Sequence, residues 1–127
     1  MKIEHRKINF KDERGTITDI FVNSPKDHIT VIYSKKGAVR GNHYHKKSVQ
    51  YDFVVNGQLT ILSKKLGSKK IQRRVLKQYD LAIHQPGEIH ALIADKDTIF
   101  LALVDGLRGG ENYEKDTYRV DERLERE

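Results

Sequence analysis

Cysteine is absent from all 127 residues, which excludes disulfides and thiolate metal sites. The absence fits a reducing compartment, so the cytoplasm is the expected location. No apolar run approaches the length of a bilayer span, and the N-terminus lacks a signal-peptide pattern, so no membrane is expected as a partner. Sustained helical periodicity is missing before Leu107, and so are internal repeats and low-complexity tracts. No nucleic-acid reading motif accompanies the net charge of +6. The basic residues are scattered or gathered in Lys64, Lys65, Lys69, Lys70, Arg73 and Arg74, which read as a solvated loop and strand. The surplus favours anions, but nucleic acid is not expected among them.

What is present is a series of short runs rich in β-branched and aromatic residues: 16–22, 28–33, 49–55, 58–63, 71–76, 80–84, 89–94 and 98–104. Glycine, asparagine, aspartate or proline sits near most of their ends. Asn56-Gly57 predicts a tight hairpin, because both residues tolerate positive φ, and Asp95-Lys96-Asp97 predicts a second turn. The pattern is that of an all-β antiparallel sandwich or small barrel with short connections. One domain, residues 1–127, is expected, able to bury roughly two-thirds of its unfolded surface. Its core spans about 8–105 and its polar tail 107–127. Gly109-Gly110 reads as a hinge, and the nearly all-charged stretch from Asp121 to Glu127 as a frayed helix or disordered end.

Three imidazoles carry the chemistry. His43 and His45, one residue apart in an extended segment, point the same way. Gln50 follows four residues later, and His90 comes from another short run after Pro86-Gly87-Glu88-Ile89. Sharing one cavity, these groups suit either a metal or proton transfer. As metal ligands, His43, His45 and His90 give three nitrogens and Gln50 an amide oxygen, a set for zinc, iron, nickel or copper without an anionic ligand. As acid–base groups, the imidazoles need no cofactor. Arg40, three residues before His43, would fix an anionic or carbonyl oxygen if the strand stays regular. His5, His28 and His84 stand alone in the sequence and read as surface or satisfied core residues.

Strand 49–55 bears on assembly. Its odd positions Val49, Tyr51, Phe53 and Val55 are apolar, and its even positions Gln50, Asp52 and Val54 more polar. With Gln50 facing the cavity, the apolar face points away and needs cover, for which a second copy, a homodimer, is the simplest source. The opposite arrangement buries the odd face and leaves Gln50 in solvent.

The spacing Gly37, five residues, His43-Tyr44-His45, four residues, Gln50, six residues, Gly57 resembles the first motif of the cupin superfamily, with Gln50 in place of the usual glutamate. Gly87 and His90 keep the offset of the second motif, but Tyr79 and Gln85 replace its leading glycine and proline. The resemblance implies a cupin jelly roll. Asp12-Glu13-Arg14-Gly15 upstream and Arg40-Gly41-Asn42-His43 narrow it to the sugar-nucleotide cupins: dTDP-4-dehydrorhamnose 3,5-epimerases, dTDP-4-keto-6-deoxyglucose 3,4-ketoisomerases and the cupin domain of capsular-polysaccharide reductases. His45 and Gln50 resemble the ketoisomerases, Tyr44 the epimerases and reductase-linked cupins.

That resemblance implies a nucleotide-diphosphate sugar as partner and a nucleotide-sugar epimerase or ketoisomerase acting next to the C4 keto group. It implies His43 as base, with His45 and Arg40 also catalytic. Arg14 would contact the diphosphate, often in a neighbouring subunit's site, and Gln50, His90 and Tyr33 would be further substrate contacts. Tyr33, Tyr51, Tyr113 and Tyr118 are the candidate proton donors. No cofactor is required on this reading. A divalent zinc, iron or nickel ion on His43, His45, Gln50 and His90 belongs to the alternative, a metal-binding cupin with another substrate. A non-catalytic sugar- or anion-binding cupin is the third possibility.

Overall fold

The computed structural model describes residues 1–106 and 115–127. The expected Gly109-Gly110 hinge and Tyr113 lie outside them. Among the described residues twelve strands are formed: β1 Lys2–His5, β2 Phe10–Asp12, β3 Gly15–Ile17, β4 His28–Ser34, β5 Val39–Tyr44, β6 Val49–Asn56, β7 Leu59–Lys65, β8 Gln72–Leu76, β9 Asp80–His84, β10 Glu88–Ala94, β11 Thr98–Asp105 and β12 Tyr118–Arg119. They make an all-β antiparallel sandwich of two five-stranded sheets, ordered β1-β9-β6-β11-β4 and β12-β5-β10-β7-β8, with β2–β3 as a separate two-stranded ribbon. β1 lies before the span expected for the core, yet it forms one edge of the first sheet on β9. Among the described residues, no helix is long and apolar enough to cross a membrane.

Asn56-Gly57 does not close a hairpin. β6 belongs to the first sheet and β7 to the second, so this turn carries the chain across the sandwich. Gly57 has φ 109°, and an added Cβ would lie 2.7 Å from the Cα of Thr98, so the residue that permits the turn also admits the neighbouring strand. Local turn chemistry gave the reversal correctly, but pairing partners are chosen by long-range packing. The turn at 95–97 likewise changes sheet, from β10 to β11.

The run 16–22 is a strand only to Ile17. Beyond it the chain lies irregularly over the outer face of the first sheet. Ile20 and Phe21 pack on a cluster built from Phe53, Leu81 and Leu103, with Phe21 edge-on to Tyr51 at 5.0 Å. Tyr79 stacks on Phe53 from the side. The outward apolar face of β6 is therefore covered largely by its own chain and needs no second copy there. Apolar side chains left in water lie instead on the edge strand β4, where Ile29, Val31 and Tyr33 are 64%, 68% and 53% exposed.

The charged end is ordered too. Leu124, 1% exposed, packs with Leu62, Ile89 and Ala91, at the start of a 3-10 helix, Leu124–Arg126. Asn42 accepts the Leu124 N–H and donates to Glu125, both at 3.0 Å, while Lys64 grips both carboxylate oxygens of Glu122. One leucine among seven residues supplied the apolar anchor, and its partners came from distant strands.

Between the sheets, side chains on the inward faces change character along each strand. Val54, Leu59, Ile61, Leu92, Ala94 and Phe100 fill one end as an apolar core. At the other end the same strands turn inward Gln50 and Asp52, Ser63, and His90, all buried.

Candidate active site: an imidazole cluster at the polar end of the sandwich

His43 on β5 lies opposite His90 on β10, beside a register shift in that ladder. Gly41 permits the close approach: with φ 95°, an added Cβ there would meet the His90 carbonyl oxygen at 2.5 Å. His45 follows β5 directly. The three rings lie 4.8–5.6 Å apart between centroids, all three residues are buried, and their ligand atoms fall within 4.8 Å of one another.

Hydrogen bonds fix how the rings present themselves. His45 Nδ1 sits 2.6 Å from the Asp116 carbonyl oxygen, which can only accept, so Nδ1 carries a hydrogen. Gln50 Nε2 donates to Asp52 Oδ1 at 2.9 Å, which turns Gln50 Oε1 toward His45 Nε2 at 3.1 Å. His90 Nδ1 faces the Glu88 carbonyl oxygen at 3.3 Å, and its buried Nε2 has no hydrogen-bond partner. Burial, and then the neighbouring His84, His43 and His45, push the His90 pKa well down, so this ring is neutral with an inward lone pair.

Behind His90 stands a group that the sequence did not single out. His84, opposite Gln50 in the β6–β9 ladder, is fully buried and stacks on His90 at 4.5 Å. Its Nε2 is 3.0 Å from Asp52 and its Nδ1 3.6 Å from Glu88, contacts that are ionic rather than aligned hydrogen bonds. Burial opposes charge on His84, but the two carboxylates outweigh it and raise its pKa. Burial likewise opposes charge on Glu88, yet His84 and the Met1 ammonium, 2.9 Å away, hold its pKa down at about 2. His84 stood alone in the sequence because its partners come from β6 and β10. Asp52 was legible as lying on the face of Gln50, though not as its anchor.

A cavity of about 310 Å³ opens onto this cluster. His43, Gln50 and His90 give it a polar wall, Ile32, Leu92 and Phe100 an apolar one, and the exposed Arg40 and Arg119 complete it. Arg40 is held by Ser34 Oγ at 2.7 Å and the Tyr33 carbonyl oxygen at 3.1 Å. Arg119 arrives on β12, opposite His43, from a segment expected to be tail. His45 does not line the cavity; it stands behind, touching Gln50.

Tyr33 points elsewhere. Its neighbour Ile32 lines the cavity, so strand alternation turns the Tyr33 ring to the outer face, and only its backbone contacts Arg40. Tyr51 faces outward onto Asp105, and Tyr118 stacks on Tyr44, so neither lines the cavity as a proton donor. Arg14 is at the β2–β3 turn, exposed and paired with Asp12, and takes no part in this chain's cavity.

The sequence profile of the polysaccharide biosynthesis C-terminal domain matches residues 10–99, from β2 into β11. The chain belongs to that family. No curated protein sequence matches this family member. Among solved structures it is similar to a dTDP-4-dehydrorhamnose 3,5-epimerase from Sulfolobus tokodaii, with TM-score 0.78 and 20% identity over 93% of this chain and 75% of that one. It is similar also to a sugar 3,4-ketoisomerase from Thermoanaerobacterium thermosaccharolyticum in complex with TDP, with TM-score 0.77 and 20% identity over 94% and 88%. The capsular polysaccharide assembling protein CapF of Staphylococcus aureus matches with TM-score 0.68 and 21% identity over 92% of this chain and 33% of that one. These likenesses make the sandwich cupin-like.

The donors fit a metal as well as a proton. His45 and His90 both turn Nδ1 to a backbone carbonyl, the usual way a protein orients metal-bound imidazoles. Oε1 of Gln50 and Nε2 of His45, facing each other at 3.1 Å, call for a proton or a cation between them.

Proposed function

We propose that this polysaccharide biosynthesis domain is a nucleotide-sugar isomerase, an epimerase or ketoisomerase acting beside the C4 keto group of a 4-keto-6-deoxy sugar. One observation carries the reading: His43, buried among imidazoles, forms with Gln50 and His90 the polar wall of a cavity whose charged groups are two arginines. The carbonyl acidifies the hydrogen on C3, His43 removes it, and the negative charge moves onto the C4 oxygen. Arg40, held in place by Ser34, stabilises that oxygen or the diphosphate, and Arg119 adds a second cation for the same anion. Reprotonation at C3 from the opposite face gives epimerisation; protonation at C4, with the O3 hydrogen passed to O4, gives the 3-keto isomer. The apolar wall of Ile32, Leu92 and Phe100 keeps water from the carbanionic centre. Cytoplasm is the compartment on this reading. A second copy belongs to it also, seated on the exposed β4 face, and Val31→Lys would then shift the mass measured by light scattering.

The test is incubation with dTDP- and UDP-4-keto-6-deoxy sugars in deuterated water. Deuterium at C3 or C4 supports the proposal. Saturable binding without exchange would support a non-catalytic sugar-binding role instead.

A metal-dependent reading is favoured by the unpartnered His90 Nε2. His43, His45 and His90 would hold the ion with Gln50 Oε1, and it would supply Lewis-acid polarisation of a substrate oxygen. Stoichiometric zinc, iron or nickel in the purified protein, with activity lost on chelation, selects this reading.

A further inference from the structure

Asp116 joins two parts of the site that are far apart in sequence. Its buried carboxylate accepts the backbone N–H groups of Lys46, Lys47 and Ser48 at 2.9, 3.1 and 2.9 Å, and the Ser48 hydroxyl at 2.8 Å. Three consecutive amides converging on one anion form a nest, here filled by a side chain of the protein itself. The loop so gripped is the one between His45 and Gln50. The backbone carbonyl of the same aspartate is the acceptor 2.6 Å from His45 Nδ1. Three residues further on, Arg119 enters the cavity.

Each half of this arrangement needs the other. The loop at 46–49 links the two groups that face one another at 3.1 Å, His45 Nε2 and Gln50 Oε1. Unclamped, it would let the imidazole turn over and exchange its two nitrogens. A carboxylate gripping the loop sets the distance from residue 116 to residue 46, and this brings the carbonyl onto Nδ1. Burial of a charged group accepting four hydrogen bonds makes the clamp stiff.

We propose that Asp116 is a positioning residue: its carboxylate locks the loop after His45 so that its own carbonyl keeps a proton on His45 Nδ1 and aims Nε2 at Gln50. The clamp itself is independent of the reaction; its effect on turnover rests on the isomerase reading.

The test uses the full chain without substrate, observing the His45 ring nitrogens by long-range proton–nitrogen NMR. In the native protein Nδ1 gives the signature of a protonated nitrogen. Asp116→Asn turns amide hydrogens toward the loop N–H groups, and the His45 signals move to values averaged over both nitrogens. Ser48→Ala removes one of four bonds and gives a smaller shift in the same direction. Lys64→Met cuts the Glu122 contact in the same C-terminal segment and leaves the signature unchanged. Native-like His45 signals in a folded Asp116→Asn protein would overturn the proposal, as would an equal shift in Lys64→Met. Should Asp116→Asn fail to fold, Ser48→Ala decides, and an unchanged signature there overturns it. Where native protein exchanges deuterium into a keto sugar, Asp116→Asn lowers kcat by about 10-fold or more with KM little changed. Absence of exchange in the native protein removes the isomerase reading alone, since the ring signature is read without substrate.

Discussion

The two ends of this sandwich's interior are made by the same strands and obey the same alternation, yet one is filled by hydrocarbon and the other by imidazoles and carboxylates. β6 turns inward Gln50, Asp52 and then Val54; β10 turns inward His90, Leu92 and then Ala94. Moving two residues along a strand changes the contents from site to core. The apolar end gains stability from burial at roughly 25 cal/mol per Å². The polar end spends some of that gain in desolvating His84, His90, Asp52 and Glu88, and recovers it only through mutual contacts. A protein with this division is stabilised at one end and reactive at the other.

The sharpest way to break the comparison is at the site. His43→Ala is expected to lower deuterium incorporation by about 10²–10⁴-fold, with little change in melting temperature. At the other end, Ile61→Ala should cost about 2–5 kcal/mol in urea unfolding and leave the rate per folded molecule unchanged. Loss of activity in the folded Ile61 variant would mean that the two ends are not separable.

Acidity distinguishes the ends further. Glu88 titrates at about 2 in the folded state against 4.5 ordinarily, so its contribution is present above pH 4.5 and lost as the pH falls toward 2. The raised pKa of His84 works the other way: its contribution is complete below 6.5 and lost as the pH rises through the raised value. Melting temperature should therefore be highest between about pH 4.5 and 6.5. Glu88→Gln should flatten the acid side of that profile.

Smaller effects test the cavity's rim. Arg119→Ala should raise KM for a nucleotide sugar by about 10-fold, the loss of one charged hydrogen bond, and affect kcat less. Arg14→Ala should leave melting temperature unchanged, since Arg14 is itself exposed and its ion pair with Asp12 lies at the surface. A loss of nucleotide affinity in that variant would place Arg14 at the cavity of another copy.

Much of this was legible locally. Seven of the eight β-like runs became strands, 80–84 with the same ends and the others with shifted ones, and the alternation in 49–55 told which side of β6 carries Gln50. Tyr79, where the second cupin motif has glycine, even adopts the left-handed conformation that glycine favours, with φ 69°. What local pattern could not supply was the neighbour. Asn56-Gly57 reads as a hairpin because the sequence specifies a reversal without specifying the sheet that receives it. His84 stands alone in the sequence because Asp52 and Glu88 reach it from other strands, and the Tyr33 ring lies one alternation step from the cavity wall. Leu124 was lost among charges whose partners, Asn42 and Lys64, lie some sixty to eighty positions earlier.

Chain crossings such as the one at Asn56-Gly57 bear on how the molecule is made. From β4 to β7 each strand leaves for the opposite sheet, and β10 finds its partners in β5 and β7 rather than in β9 or β11. Nearly every ladder must therefore close a long loop before its bonds form, which places folding in the slow, milliseconds-to-seconds class. Neither half of the polypeptide holds a complete set of partners, so no nascent fragment can own the cavity before the last strands are synthesised.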